Sequence, residues 1–310
     1  MATVTVVGAG NVGSNTARRV AEQRLADKVA MIDIVEGLPQ GLALDINHSA
    51  PIEGFETRLI GTNDYKDTAG SDVVVITAGL PRKPGMSRMD LLEKNAEIVG
   101  GVTEQIAAHS PDAIIIVVSN PLDEMTFLAS EVSGFPKERV MGMAGVLDSS
   151  RLRFFIAEKL DVPLTEVDAI TLGSHGDQMV ALPRHATVQG KPLPELVDEV
   201  TLEELFRRTR DAGAEIVGHL KKGSAFYAPS SSAVAMVRSI LEDSGDVHPT
   251  CAWTTGQYGI SDVYLGVPAK LGRKGVTEIV ELDLNGDELE RLKEAAEAIR
   301  SKCEELKPRS

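Results

Sequence analysis

The feature that most constrains the fold is a glycine-rich segment between two short apolar runs near the N-terminus. The run "TVTVV" at 3–7 leads into "GAGNVG" at 8–13, and a helical pattern follows over 12–25. The next apolar run, "KVAMID" at 28–33, ends in an acid, Asp33. A tight glycine turn between strand and helix, with an acid ending the following strand, is typical of the first βαβ unit of a dinucleotide-binding sheet.

Each glycine of this segment has its own physical role. Gly8 permits the tight turn, Gly10 lets the backbone approach a pyrophosphate, and Gly13 lets the helix pack against the strand. The helix N-terminus offers free N–H groups and a partial positive charge. Asp33 can accept hydrogen bonds from both ribose hydroxyls of an adenosine and would repel a 2′-phosphate, which favours NAD over NADP. The predicted cofactor contacts here are Gly8, Ala9, Gly10, Asn11, Val12, Gly13 and Asp33.

Short β-branched runs alternate with helical patterns through the first half of the chain. Further strands are predicted at 57–60, 72–77, 113–118 and 140–143. Most of these runs are apolar at consecutive positions, as expected for parallel strands that are covered on both faces. The alternation predicts an α/β fold, with a Rossmann-type, doubly wound parallel sheet that forms an NAD-binding domain over residues 1–145.

The pattern changes in the second half, residues 146–310. A β-rich piece, "GVPAKLGRKGVTEIVELDL", precedes a last helix that starts at 286, and earlier helices are predicted at 149–160, 201–221 and 229–243. This mixture predicts a second, α+β domain for substrate binding and catalysis. No Gly/Ser-rich linker separates the halves, so we expect them to pack closely.

Composition restricts the classes of partner. The chain has 310 residues and a net charge of −14, and nucleic acids and anionic membranes both favour clustered Lys and Arg, so we expect neither as a partner. No apolar run approaches the roughly 20 residues that cross a bilayer. The chain starts with a strand and no basic leader, and its only cysteines are Cys251 and Cys303. We expect a cytoplasmic protein without disulfides; a salt-loving host is an alternative explanation of the acidic surplus.

Three polar segments are candidates for the reaction chemistry. His175 stands in "LGSHGDQMV" between small residues that would leave its imidazole accessible. Asp148 and Arg151 in "GVLDSSRLRFF" are three positions apart, so a helix would place them on one face. Asn120 in "VVSNPLD" follows a strand, and ligands bind beyond the carboxyl ends of parallel strands. Taken singly, the three segments have ordinary alternatives: a surface histidine, an N-cap aspartate and an Asn–Pro turn.

Together with the loop "AGLPRKPGMSRMDLL" at 78–92, these segments resemble the lactate/malate dehydrogenase superfamily, and within it the lactate-dehydrogenase-like malate dehydrogenases. The matching elements occur in the family's order from residue 4 to about 180. They are "GAGNVG", Asp33, the loop, Asn95, "VSNP", "LDSSR" and "GSHGD". The resemblance implies hydride transfer between NAD and a 2-hydroxy or 2-oxo acid. It also implies cofactor contacts at Asn95, Val118, Ser119 and Asn120.

The resemblance implies a role for each polar residue of the site. His175 would exchange a proton with the substrate, since the ordinary histidine pKa of about 6.5 lies close to working pH. Asp148 would fix the ring tautomer and stabilise the protonated ring. Arg151 would bind the C1 carboxylate at two points, and Arg88 would arrive on the closing loop and polarise the carbonyl oxygen. Asn120 would reach the nicotinamide ribose or a substrate hydroxyl.

Arg82 is the predicted selector of the substrate. In this superfamily the corresponding position discriminates substrates, and lactate-selective members typically carry Gln there. A closed loop would bury the Arg82 charge, and an unpaired buried charge costs about 3–5 kcal/mol. A second carboxylate neutralises that charge and a methyl group does not, so we expect malate and oxaloacetate as substrates. L-lactate dehydrogenase or another 2-hydroxy-acid dehydrogenase is the alternative, and both loop arginines could also be solvated charges.

Other classes of function remain as alternatives. A dinucleotide-binding or sensor module without catalysis would need none of His175, Asp148 and Arg151. The sequence has no HExxH and no Cys/His pairs at ligand spacing, so we expect no metal. The resemblance implies a homotetramer built as a dimer of dimers, and a homodimer is the alternative; residue patterns alone do not decide between them.

Overall fold

The structure is a computed structural model that describes residues 2–80, 88–176 and 178–306, with the backbone alone at Arg88. Arg82 therefore lies outside the described residues, and so does the side chain of Arg88. The predicted roles of these two arginines stay predictions.

The first half of the chain alternates strands and helices, as its apolar runs predict. Its elements are β1 (Thr3–Val7), α1 (Asn11–Glu22), β2 (Lys28–Ile32), α2 (Leu38–Glu53), β3 (Arg58–Thr62), β4 (Val73–Ile76), α3 (Arg88–His109), β5 (Ile114–Val117), α4 (Leu122–Ser133) and β6 (Val140–Gly142). The six strands pair in parallel in the order β3-β2-β1-β4-β5-β6. This is the order of a doubly wound Rossmann sheet, so the predicted fold is confirmed.

The second half mixes helices with antiparallel strands, in agreement with the predicted α+β pattern. Its elements are α5 (Gly145–Leu160), β7 (Val167–Asp168), β8 (Thr171–Gly173), β9 (Met179–Ala181), β10 (Thr187–Val188), β11 (Lys191–Pro192), α6 (Glu199–Leu220), α7 (Tyr227–Glu242), β12 (Val247–Thr255), β13 (Ser261–Gly272), β14 (Gly275–Ile279) and α8 (Gly286–Leu306). β12 pairs antiparallel with β6 and with β13, so the sheet of the first half continues into the second. A division into domains after residue 145 stays a prediction.

The strands of the parallel sheet are buried on both faces. β4 reads VVVI and β5 reads IIIV, and every residue of both strands is buried. β-branched side chains favour strands, and the helices that follow them cover the two faces of the sheet. Since β1, β4 and β5 are neighbours and parallel, the turns that follow them meet at one edge of the sheet. Candidate site residues lie in those turns.

Among the described residues, no helix is both long enough and apolar enough to cross a membrane.

Candidate active site

The turn after β1 is shaped by backbone conformations that only glycine tolerates easily. We call residues 8–13 the phosphate cradle. Gly8 has φ of 99°, which strains any L side chain. A Cβ on Gly13 would lie 1.8 Å from the carbonyl oxygen of Gly8, so α1 approaches the turn this closely only because Gly13 has no side chain. A Cβ on Gly10, by contrast, would meet nothing within 4 Å, which leaves open space above the N-terminus of α1.

Asp33 joins the end of β2 to the phosphate cradle. Its Oδ2 accepts a hydrogen bond from the Ala9 N–H at 2.7 Å, and its Oδ1 accepts one from the Val35 N–H at 3.0 Å. Each carboxylate oxygen keeps a lone pair that a ribose hydroxyl can use. Asn11 and Val12 form the first turn of α1, where no side chain caps the helix. The backbone and the carboxylate therefore fit a dinucleotide.

The turn after β5 is fastened to its neighbours by polar side chains. Ser119 is buried, and its Oγ donates to the carbonyl oxygen of Ala78 at 2.5 Å. The N–H of Val118 donates to the carbonyl oxygen of Ile76 at 2.9 Å. The side chain of Asn120 is exposed beyond this turn. The structure thus places Asn120 at the sheet edge where ligands bind in such folds.

Asn95 lies inside α3, not at its start, and its side chain is committed to backbone groups. Oδ1 accepts from the Leu80 N–H at 2.7 Å, and Nδ2 donates to the carbonyl oxygens of Leu80 and Asn120 at 3.1 and 2.6 Å. The residue is only 1% exposed. In the described geometry Asn95 fastens the Asn120 turn to the chain that precedes residue 81, and a cofactor contact by its side chain stays a prediction.

His175 follows β8, and its imidazole meets the carboxylate of Asp148 on α5. Nδ1 of His175 lies 2.8 Å from Oδ2 of Asp148. Asp148 is 4% exposed. The carboxylate raises the pKa of His175 above its ordinary value, and desolvation opposes part of this increase. With Nδ1 donating to Asp148, Nε2 is the ring atom left for a substrate. Asp148 is not an N-cap, because α5 begins at Gly145 and Ala144 holds the cap position.

The same carboxylate also holds Arg151. Nη1 of Arg151 lies 3.3 Å from Oδ1 of Asp148, so Asp148 bridges the guanidinium and the imidazole. The Arg151 side chain is 13% exposed, and its buried Nε has no hydrogen-bond partner among the described residues. A guanidinium with an unpaired donor beside a cavity can bind a carboxylate at two points.

These side chains line a cavity of about 290 Å³, which we call the active-site cavity. It brings together four residues predicted from the sequence, Asn120, Asp148, Arg151 and His175. Arg210 and Gly213 of α6 also line it, and a Cβ on Gly213 would lie 3.8 Å from Nη2 of Arg151. Sequence reasoning missed Arg210. The only local signal in the sequence was that Arg210 and Gly213 are three positions apart, which places both on one helix face.

Among the residues that the structure describes, no three His, Cys, Asp or Glu side chains are arranged to hold a metal ion. The His175–Asp148 pair has the chemistry needed for proton exchange, and the Arg151 guanidinium has the chemistry needed to bind a carboxylate. The phosphate cradle, at the same edge of the sheet, has a geometry that suits a nucleotide.

Comparison with known protein families gives the same picture. Residues 2–142 match "lactate/malate dehydrogenase, NAD binding domain", and residues 145–309 match "lactate/malate dehydrogenase, alpha/beta C-terminal domain". This chain belongs to the lactate/malate dehydrogenase family. The family is one of NAD-dependent oxidoreductases, and this class applies to the chain.

Individual relatives cover almost the whole chain. The malate dehydrogenase of Salinibacter ruber is 55% identical over 98% of this chain and 96% of its own length, and that of Chlorobium luteolum is 52% identical over 98% of both. The solved structure of the Salinibacter ruber enzyme has a TM-score of 0.94 at 53% identity, covering 98% of this chain and 97% of that one.

A lactate dehydrogenase is similar to this chain as well. The Cryptosporidium parvum lactate dehydrogenase, solved with lactic acid and NAD, has a TM-score of 0.95 at 41% identity and covers 98% of both chains. The fold is therefore common to malate and lactate dehydrogenases, so the fold alone does not decide between the two substrates.

Proposed function

We propose that this chain is an NAD-dependent malate dehydrogenase that interconverts (S)-malate and oxaloacetate. The observation that carries the proposal is the His175–Asp148 pair at 2.8 Å in a cavity that Arg151 also lines. A base held by a buried acid, beside a guanidinium, suits a substrate with a hydroxyl next to a carboxylate. Relatives that are 50–55% identical and named malate dehydrogenase support the same proposal.

His175 moves the proton. In the oxidation direction, the neutral Nε2 accepts the proton of the C2 hydroxyl. In the reduction direction, the protonated imidazole donates it to the carbonyl oxygen. Asp148 keeps Nδ1 protonated and stabilises the imidazolium with its negative charge, since the two groups are 2.8 Å apart. The pair therefore serves both directions of one reaction.

Arg151 binds the C1 carboxylate of the substrate. Its ion pair with Asp148 fixes one edge of the guanidinium, and the missing side chain at Gly213 leaves space 3.8 Å from the other nitrogen, Nη2. The sequence adds two further roles. Arg88 polarises the C2 oxygen, and Arg82 pairs with the distal carboxylate when the loop closes. A distal carboxylate is present in oxaloacetate and absent from pyruvate.

The phosphate cradle would hold NAD. The pyrophosphate would lie in the open space over Gly10 at the N-terminus of α1, and Asp33 would accept the adenosine ribose hydroxyls. When bound, NAD supplies the hydride acceptor for the C2–H bond. The charge of Asp33 disfavours a 2′-phosphate, so we propose NAD in preference to NADP.

The test is a substrate series with NADH and, in parallel, NADPH. We expect oxaloacetate to oxidise NADH much faster than pyruvate does. Arg82→Gln should lower kcat/KM for oxaloacetate by about 10²–10³-fold, because a buried ion pair is lost. Lys83→Gln removes one positive charge from the same segment and is the matched control, which should stay near the wild-type rate. Predominant pyruvate turnover would contradict the proposed substrate, and an R82Q enzyme with unchanged oxaloacetate kinetics would contradict the role of Arg82.

A second candidate function is L-lactate dehydrogenase. The similarity to the Cryptosporidium parvum lactate dehydrogenase, at a TM-score of 0.95, supports this second candidate. The substrate series decides between the two, because the lactate assignment predicts that pyruvate is the faster substrate.

We also propose a homotetramer built as a dimer of dimers, with a homodimer as the alternative. Large apolar side chains on the outer surface support association: Leu44 and Ile52 on α2 are 57% and 86% exposed, and Tyr227 on α7 is 62% exposed. Sedimentation or light scattering at low micromolar concentration would give the mass. A monomer would contradict both forms. The cytoplasmic location stays a prediction.

A further inference from the structure

A buried carboxyl group lies behind the loop that carries His175. Asp123, in the first turn of α4, is 2% exposed. Its Oδ2 accepts a hydrogen bond from the Ser174 hydroxyl at 2.6 Å and another from the His175 backbone N–H at 3.2 Å. One oxygen atom thus fixes two consecutive residues at the point where β8 ends.

The other oxygen of Asp123, Oδ1, is buried and accepts no hydrogen bond of ordinary geometry among the described residues. Burial raises the pKa of Asp123, and the hydrogen bond from Ser174 opposes part of the increase. The buried Cys251 thiol interacts with the same carboxyl and also lowers its pKa. An unpartnered buried oxygen lowers stability. The carboxyl is therefore better explained by what its other oxygen does for the His175 loop than by stability.

Asp123 also joins two walls of the active-site cavity. It lies three residues after Asn120, at the start of the helix that this turn leads into, and it binds the loop 51 and 52 positions further along the chain. Asn120 and His175 both line the cavity. The two hydrogen bonds therefore tie the histidine loop to the Asn120 turn.

We propose that Asp123 is a positioning residue for His175, which holds the histidine backbone where its imidazole meets Asp148. The proposal rests on the proposed function, since it assumes that His175 carries the proton. Asp123 acts through His175 and not on the substrate.

Several charged groups act on the His175 imidazole, and mutation can measure the contribution of each one to its pKa. Asp148 on α5 is the largest cause that raises the pKa of His175, Asp123 on α4 raises it further, and Arg151 lowers it. Arg210 on α6 lines the same cavity. Asp177 lies outside the described residues.

The test compares Asp123→Ala and Asp123→Asn in oxaloacetate reduction. In D123A the imidazole should leave Asp148, so kcat should fall about 10–100-fold while KM changes little. The pH at which reduction declines should also move down, because His175 loses its main stabilising charge. D123N keeps an oxygen that can accept both hydrogen bonds and should recover most of kcat.

The matched control is Glu288→Ala. Glu288 is a buried carboxylate at 6% exposure, its Oε2 accepts from the Asn285 N–H at 2.8 Å, and its Oε1 has no partner among the described residues. Like Asp123, it is a buried carboxylate with one oxygen that accepts a backbone N–H and one that accepts nothing among the described residues. It differs in that its Oε2 also pairs with Arg184 at 3.3 Å, and its hydrogen bonds do not involve the His175 loop. E288A should lose stability and keep the wild-type kcat and pH profile.

Two measurements separate the possible outcomes. Wild-type turnover tests the proposed function by itself. An NMR titration of the His175 ring protons, with H175N for assignment, tests the positioning role without any substrate, and the pKa of His175 should be lower in D123A than in wild type. A folded D123A enzyme with wild-type kcat and an unchanged His175 titration would overturn the proposal.

If D123A does not fold, the Ser174→Ala variant tests the proposal instead. It removes one of the two hydrogen bonds and should lower kcat about 3–10-fold, and unchanged kcat and titration would overturn the proposal.

Discussion

The phosphate cradle and the active-site cavity lie at the same edge of one sheet, but they are built in opposite ways. The cradle is local in sequence and made of backbone: Gly8 and Gly13 shape it by conformation and missing side chains, and the Asp33 side chain accepts a hydrogen bond from the Ala9 N–H of the cradle. The cavity is assembled from side chains far apart in the chain, such as Asn120 and His175. Backbone geometry recognises what all dinucleotides share, whereas side chains determine one reaction.

This difference predicts that the two regions fail separately. Damage to the cavity should remove turnover and leave cofactor binding, and damage to the cradle should weaken cofactor binding or the fold.

The largest effect is expected for His175→Asn. Loss of the general acid–base group should lower kcat for oxaloacetate reduction by about 10²–10⁴-fold. The Kd for NADH, measured by fluorescence titration, should remain near wild type, because the phosphate cradle is unchanged. His185→Asn is the control, since the ring nitrogen Nε2 of His185 contacts the carbonyl oxygen of Asp283 instead of the cavity. An H175N enzyme that loses NADH affinity and keeps kcat would contradict the separate roles of the active-site cavity and the phosphate cradle.

The next effect is expected for Asp148→Asn. Its kcat should fall about 10²-fold, the lower end for this kind of catalysis. Asp148 is the main cause of the raised pKa of His175, so that pKa should drop in the variant. Reduction needs the protonated ring and should therefore decline at a lower pH than in wild type, whereas malate oxidation, which needs the neutral ring, should begin at a lower pH. Unmoved pH profiles in both directions would show that Asp148 does not control the ring.

A pair of glycine variants separates the fold from cofactor binding within the phosphate cradle. Gly13→Ala places a Cβ 1.8 Å from the Gly8 carbonyl oxygen and should lower the free energy of unfolding by about 1–3 kcal/mol. Gly10→Ala meets nothing within 4 Å, so stability should hold while the Kd for NADH rises. Urea unfolding and NADH titration of both variants give the answer. Equal stability of the two variants would contradict the described packing.

The smallest effect is expected for Ser119→Ala. Its hydroxyl donates to the Ala78 carbonyl oxygen at 2.5 Å, and one such hydrogen bond contributes about 0.5–1.5 kcal/mol. The free energy of unfolding should fall by that amount, with little change in kcat. A large loss of kcat would mean that the turn carrying Asn120 is less firmly held by its other contacts than the geometry indicates.

The parallel sheet could be predicted because its strands are continuous apolar runs and its first turn is a local motif. Helix α4 and strand β12 are among the elements that were not predicted. Helix α4 is hard to recognise, since Asp123 and Glu124 at its start are buried and blur the amphipathic pattern. Strand β12 contains Pro249, a residue that argues against a central strand.

The predicted start of α5 was also wrong. Asp148 looks like an N-cap, which puts the start of the helix at 149. The helix in fact begins at Gly145, where a Cβ would lie 2.7 Å from the Cβ of Pro249. The participation of Asp123 and Arg210 likewise depends on contacts between distant segments, and no local pattern encodes those contacts.

The central claim is that His175, held by Asp148, gives the proton in oxaloacetate reduction. The most direct measurement compares the NMR titration of the wild-type imidazole with the pH dependence of kcat/KM for oxaloacetate under the same conditions. Both titrations should have the same midpoint, above the ordinary histidine pKa of about 6.5. A kinetic midpoint that differs from the imidazole titration, or an imidazole that titrates below that value, would contradict the claim.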